Sequence, residues 1–415
     1  MSILIAVGWK SRSRARVRPA ANMELFIYLF AFVASTMSES NVELLKAGND
    51  QFTAKMFQEV VKANPDENIV LSAFSVLSPL AQLALGSEGE CHDEILKAIG
   101  LRNDNEVKEQ FTNVTKQLQS VMGVEFNLAN RVYVRKGEVL NEQYAVMSRD
   151  VFNSDVKSID FSQREAAASE INNWVANNTK NRIKNLLSPD SVNIVTSAVL
   201  VNAIYFKGKW SKPFHPSDTR SGTFYVSKDK TAEKVFMAQT KDHKYGESKE
   251  LDAKLLKLPY EGDQSSLLLI LPNQLDGISS LIEKLGDPSV VSNAVNNMQS
   301  YEVSVRLPQF KIETTTDLRN VLTKMNVVTL FQPDGARMVN MLESKSDLYL
   351  SHAIQKAFIE VNEQGTEAAA ANAFVMGLVT ATLGNSKLKY FDAWHPFYFE
   401  LQINNMITFN GIFAK

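Results

Sequence analysis

Residues 353–384, AIQKAFIEVNEQGTEAAAANAFVMGLVTATLG, join a strong strand signal to a segment that fits no ordinary core. Ala353–Val361 (AIQKAFIEV) has the apolar, β-branched character of a strand. The stretch after it, 363–384, favours a helix on propensity alone, because Ala368, Ala369, Ala370 and Ala371 run together. A membrane helix is disfavoured, since the weakly apolar part is short and carries Asn372, Gly377 and several threonines. Side chains this small cannot fill a core, but they can enter a narrow slot. As a strand, Thr366, Ala368, Ala370 and Asn372 would share one face, small enough to pass between two strands already packed on helices. Helix, loop and inserting strand stay open on pattern alone.

Working outward, the first third of the chain reads helical. Asn49–Ala63 places Phe52, Met56, Phe57 and Val60 at helix spacing. Phe74–Leu85 is apolar nearly all round and predicts a buried helix. Asn105–Met122 and Gln163–Asn177 are amphipathic, and Glu125–Val134 (EFNLANRVYV) alternates as a strand. From about 195 onward strands dominate: Val195–Phe206, Ser266–Leu271, Tyr301–Ile312, Ala353–Val361 and Pro396–Ile403, with helices near Ile278–Leu285 and Thr316–Met325. This order fits a sheet flanked by helices, an α+β arrangement, better than regular βαβ alternation. A length of 415 residues suits two or three domains at roughly 100–200 residues each. Yet no repeat, Pro/Ser-rich linker or low-complexity block interrupts residues 45–415, which favours one integrated domain.

Composition narrows the function. Hydrophobic residues are 45% and charged residues 22%, ordinary globular values, and a net charge of −2 argues against a general nucleic-acid binder. Cys91 is the sole cysteine, so neither an intrachain disulfide nor a cysteine zinc site can form. Leu25–Ala34 is an apolar run of ten, too short to span a bilayer and suited to a signal-peptide core. Small residues Ala34, Ser35 and Thr36 stand at its end. Upstream, Lys10, Arg12, Arg14, Arg16 and Arg18 make a basic segment, either a long n-region or a leader ahead of a true start at Met23. The pattern predicts leader and signal peptide over 1–35, a single domain over 36–415, and secretion of a more acidic mature chain. Sequons at Asn113-Val-Thr115 and Asn177-Asn-Thr179 agree with glycosylation at Asn113 and Asn177.

Nothing points to catalysis. There is no G-x-S-x-G, H-E-x-x-H or G-x-x-x-x-G-K-[ST] pattern. The five histidines, His92, His215, His243, His352 and His395, are scattered and sit in no motif with a serine or carboxylate. No metal, cofactor, nucleic-acid or membrane partner is expected, and Cys91 reads as a structural thiol.

From about residue 45 to the end the chain resembles the serpins. The resemblance rests on NIVLSAFSVLSPLAQLALGSEGECHDEIL (68–96), LVNAIYFKGKW (200–210), LPQFKIETTTDL (307–318), KAFIEVNEQGTEAAAANAF (356–374) and HPFYFEL (395–401). The wording around the alanine run is most similar to serpins of moth and butterfly haemolymph. The resemblance implies one domain of three β-sheets and eight or nine helices, with an exposed reactive-centre loop over about 363–390.

It also implies suicide inhibition of an extracellular serine protease. The protease serine attacks a bait bond in the loop and forms an acyl-enzyme. The cut loop then inserts into the main sheet before water can release the enzyme. Family spacing makes Glu363, Gly365, Thr366, Glu367 and Ala368–Ala371 the hinge. It puts the scissile bond at Val379–Thr380, implying an elastase-like target. Counting back from Pro396 moves the bond toward Leu383, implying a chymotrypsin-like one. Ser72, Ser75, Asn202 and Gln355 correspond to a polar cluster that controls strand separation, and Trp210 to an aromatic where insertion begins. Three departures stand out. Ala73 replaces a usual proline, Gln355 replaces a common histidine, and Gln309 replaces the lysine that faces Glu363. No basic stripe in Leu101–Met122 supports heparin activation. A monomer is expected, and a non-inhibitory binding or storage role is the competing reading.

Overall fold

In the computed structural model, which describes residues 44–344, 348–366 and 388–415, the two longest apolar strands lie side by side in the middle of a six-stranded sheet. Its order is Phe310–Asp317, Leu350–Asn362, Gly365–Thr366, Ala198–Lys209, Val124–Arg135 and Asp155–Ile159. Ala198–Lys209 is buried almost throughout, the run expected of a strand covered on both faces. On one face, Val199, Val201 and Phe358 pack with Ile171 and Val175 of the helix Arg164–Asn178. On the other, Ile204, Phe206, Ile359 and Val361 meet Leu256, Leu267 and Phe399 of a second sheet.

That second sheet has nine strands. The 19-residue strand Lys230–Ser248 pairs with Arg220–Ser227, Ala253–Pro259 and Gln299–Pro308, and so joins the two smaller sheets that the resemblance implies. Behind the six-stranded sheet lies the helix Ala73–Gly86, buried at every position as its all-round apolar sequence demands. Ser72 caps it by accepting from the Ser75 amide at 3.2 Å. With helix 44–63 and six more, the described residues hold nine α-helices, and 44–415 form one compact unit. No described helix is long and apolar enough to cross a membrane.

One expectation is corrected. Tyr301–Ile312 is two strands: Gln299–Pro308 belongs to the nine-stranded sheet and Phe310–Asp317 to the six-stranded one. Pro308 lacks the N–H that would carry the first ladder onward. Gln309 donates its amide to the Val235 carbonyl at 2.8 Å, and Phe310 then pairs with Val361 across the other sheet.

Candidate functional site: a sheet with a started seam

The centre of the six-stranded sheet holds an unusual junction. Leu350–Asn362 and Ala198–Lys209 run parallel, paired from Leu350–Ala198 up to Ala357–Ile204. Beyond that their direct pairing stops. The chain turns at Glu363–Gln364, and Gly365–Thr366 folds back between the two strands. Thr366 pairs with Val361 on one side and Gly208 on the other, antiparallel to both.

The turn is held on every side. Gln364 donates its amide to the Asn362 side chain at 3.0 Å, and its carbonyl accepts from the Trp210 amide at 2.8 Å. The Trp210 indole donates to the Asn362 carbonyl at 2.8 Å, and the Phe214 amide to the Glu363 carbonyl at 2.9 Å. Thr219 donates its hydroxyl to the Glu363 carboxylate at 2.7 Å, so a neutral group contacts this acid where the resemblance puts a lysine. Trp210 stacks on Tyr260, centroids 4.5 Å apart, and Tyr260 shares a 2.5 Å hydrogen bond with Thr366, which is fully buried. Burial pushes the Tyr260 phenol far above its ordinary range, so it stays neutral at any physiological pH.

Gly365 is fixed by two independent demands. Its φ is +153°, and a Cβ there would lie 2.0 Å from the Gly208 carbonyl oxygen. Gly365→Ala is therefore expected to expel the two-residue strand and destabilise the native chain by about 1–3 kcal/mol. Urea unfolding together with hydrogen exchange at Thr366 would check this, and unchanged protection there would count against it.

Lower in the same seam is a buried, uncharged network. The Gln355 amide donates to the Ser72 carbonyl at 2.7 Å, to Ser75 Oγ at 3.1 Å and to Asn202 Oδ1 at 2.6 Å. Its oxygen accepts from the Ser72 amide at 3.1 Å. Ser75 donates its hydroxyl to Asn202 Oδ1 at 2.8 Å, and Asn202 donates to the Ser75 carbonyl at 2.9 Å and to Asn130 Oδ1 at 2.5 Å. Ser72 Oγ donates to the Thr408 carbonyl at 2.5 Å. Ser72, Ser75, Asn202 and Gln355 are all fully buried. Gln355 faces Asn202 across the parallel ladder, so separating the strands breaks bonds on both sides. A Gln355→Leu variant would leave the Ser72 amide without its acceptor, at about 1–3 kcal/mol for a buried orphan group. A lower urea midpoint for the uncleaved chain, with little change in slope, is the expected result.

The structure thus brings Ser72, Ser75, Asn202 and Gln355 into one cluster and places Trp210 at the hinge with Glu363, Gly365 and Thr366. Glu367, Ala368–Ala371, Val379, Thr380 and Leu383 lie outside the described residues. Sequence reasoning missed Asn130, Tyr260 and Thr408. Asn130 had a readable signal, since it shares the inward face of its strand with Phe126, Leu128 and Val132 and is the polar exception there.

Of the sequons, Asn113 is half-buried on the helix Asp104–Gln119, and Asn177 is exposed in the last turn of Arg164–Asn178. Cys91 is fully buried and its thiol is pushed up to about 11, mainly by desolvation, which suits an inert structural role. Among the described residues no group of three or more His, Cys, Asp or Glu side chains converges on a metal-sized site.

A family model described as Serpin (serine protease inhibitor) matches residues 47–415. The chain is 53% identical over 391 residues to Antitrypsin of Bombyx mori, covering 94% of this chain and 98% of that protein. It is 54% identical over 374 residues to Antichymotrypsin-2 of the same organism, covering 90% and 98%. Among solved structures, Serpin48 of Tenebrio molitor superposes with a TM-score of 0.82 at 31% identity, covering 90% of this chain and 98% of that one.

Proposed function

Because the chain belongs to the serpin family of serine protease inhibitors, we propose that it is a secreted, monomeric suicide substrate for an extracellular serine endopeptidase. A bond in the loop after Thr366 is attacked, an acyl-enzyme forms, and the cut loop zips into the six-stranded sheet before hydrolysis releases the protease. The chain's own groups need only present the bond and then take up the strand; the protease supplies the nucleophile.

The observation that carries this reading is the register of Thr366. It is already antiparallel to both neighbours. Continued in that register, Ala368 meets Ile359 and Phe206, Ala370 meets Ala357 and Ile204, and Asn372 arrives at Gln355 and Asn202. The residues due to face inward are therefore small along the apolar stretch and polar where the polar network waits. Insertion replaces one parallel ladder by two antiparallel ones, the slightly better pairing per residue. Hydrogen bonds alone do not repay the entropy of ordering the loop, so the uncut chain must be held in a strained state by a kinetic barrier.

Hinge spacing assigns the bond to Val379–Thr380, which suits an elastase-like pocket; the Pro396 anchor assigns it near Leu383, which suits a chymotrypsin-like one. Similar relatives carry names pointing to different proteases, antitrypsin and antichymotrypsin, so the bait residues in this chain decide the target. Mixing the full chain with elastase-like and chymotrypsin-like enzymes should give an SDS-stable complex with one of them. Mass spectrometry of the released peptide then fixes the bond. Cleavage in this loop without any complex would reject inhibition and favour a binding or storage role.

A further inference from the structure

Glu400 is a buried acid that the inhibitory mechanism does not use. It lies in the strand Phe397–Ile403 between Leu268 and Asn410 of the neighbouring strands, and is 2% exposed. Its two oxygens accept from the Tyr398 hydroxyl at 3.0 Å and the Gln402 amide at 2.7 Å, both neutral donors. Helix 44–63 covers this face. Phe57 packs edge-on against Tyr398 with centroids 5.1 Å apart, and Asn49 donates to the Ile407 carbonyl at 3.0 Å.

The polar atoms around it are short of hydrogens. Asp50 takes Lys46 Nζ on Oδ2 at 2.6 Å, which leaves Asp50 Oδ1 without a partner. Asn49 Oδ1, Asn410 Oδ1 and Thr53 Oγ1 are likewise unpartnered, in residues 0%, 1% and 2% exposed. Asn410 spends its amide on the Tyr398 hydroxyl at 3.2 Å. Three of the four unmet atoms only accept, and the fourth is a hydroxyl. No cation bonds to Glu400 itself. Lys46 answers Asp50, while Lys257, on the strand Ala253–Pro259, is acted on by the charge of Glu400 across the intervening strand but donates to Asn405 at 3.4 Å. An ionised Glu400 would be a buried charge without a cationic hydrogen-bond donor, which is costly.

We propose that Glu400 is a proton-binding site, holding a hydrogen on its carboxyl in the folded chain near neutral pH and giving it up on unfolding. The bound hydrogen removes the buried charge.

Desolvation pushes Glu400 up to about 7 against the hydrogen bonds from Gln402 and Tyr398; the Asp50 charge adds to the rise and Lys46 opposes it. Burial raises Asp50 too, with Lys46 opposing. Proton affinity is thus higher folded than unfolded, where the carboxyl has its ordinary value of 4.5. The resulting stabilisation is fully present below 4.5 and is lost as pH rises through about 7. The site also has a route to the seam. The carbonyl of the next residue, Leu401, accepts from Thr408 Oγ1 at 3.0 Å, and the Thr408 carbonyl accepts from Ser72 of the polar network.

Infrared difference spectra of the full chain between about pH 5 and about pH 9 test this directly. A buried protonated-carboxyl band should vanish near neutrality in the wild type, be missing in Glu400→Gln, and vanish at lower pH in Asp50→Asn. Over the same range the wild-type urea midpoint should fall relative to Glu400→Gln. A wild type without that band, or with the band unmoved in Asp50→Asn, overturns the proposal. So does a midpoint that rises with sodium or calcium at fixed ionic strength while the band is absent, which would make the site a cation site.

Discussion

Thr366→Arg is expected to turn an inhibitor into a substrate. Thr366 is fully buried between Val361 and Gly208, with its hydroxyl on Tyr260. None of these neighbours offers a carboxylate, so a guanidinium carried into the slot would be an unpaired buried charge, costing about 3–5 kcal/mol. If that cost falls on the insertion step, at about 1.4 kcal/mol per tenfold, insertion slows by at least about a hundredfold. Hydrolysis of the acyl-enzyme then wins the race. The variant should still be cut at the same bond by the same protease while the SDS-stable band disappears and active enzyme returns. Thr366→Ser keeps the hydroxyl and should keep trapping. An arginine variant that traps at wild-type stoichiometry would sink the account of the hinge.

The second large effect is thermal. Cutting the loop near Val379–Thr380 or Leu383 with a protease that is not trapped should free the strand to insert. The parallel pairing from Leu350–Ala198 to Ala357–Ile204 gives way to two antiparallel ladders. Melting temperature should rise well beyond the 2–4 °C that about 1 kcal/mol gives a domain of 150–250 residues. Thr366→Arg should blunt the gain. Calorimetry before and after nicking decides the matter: an unchanged melting temperature would mean that the cut segment stays outside the sheet, and the chain would then not work by insertion.

Much of this was legible in the sequence, and the gaps have physical causes. Strands 198–209 and 350–362 announced themselves because burial on both faces demands continuous apolar runs. The polar network was legible only through the family resemblance, since four neutral polar residues far apart in the chain carry no local pattern. The break at Pro308–Gln309 was missed because both halves have strand character and only the partner sheet changes. Glu400 carries no signal of its burial for a different reason. In FYFELQI, Phe397, Phe399, Leu401 and Ile403 face the inter-sheet core, and alternation alone would leave Tyr398, Glu400 and Gln402 on an open face. Helix 44–63 covers that face, and period two cannot say what lies above a sheet.

The parallel pair at the seam also has a consequence for biogenesis. Asn202 and Gln355, which meet there, are 153 residues apart in the chain. At a synthesis rate of about 5–20 residues per second, the first strand waits on the ribosome for about 8–30 s before its parallel mate is made. The hinge emerges directly behind that mate. The nascent chain must therefore close the weaker pairing within moments, ahead of the stronger one that follows it out, and each working copy is the outcome of a contest settled at birth.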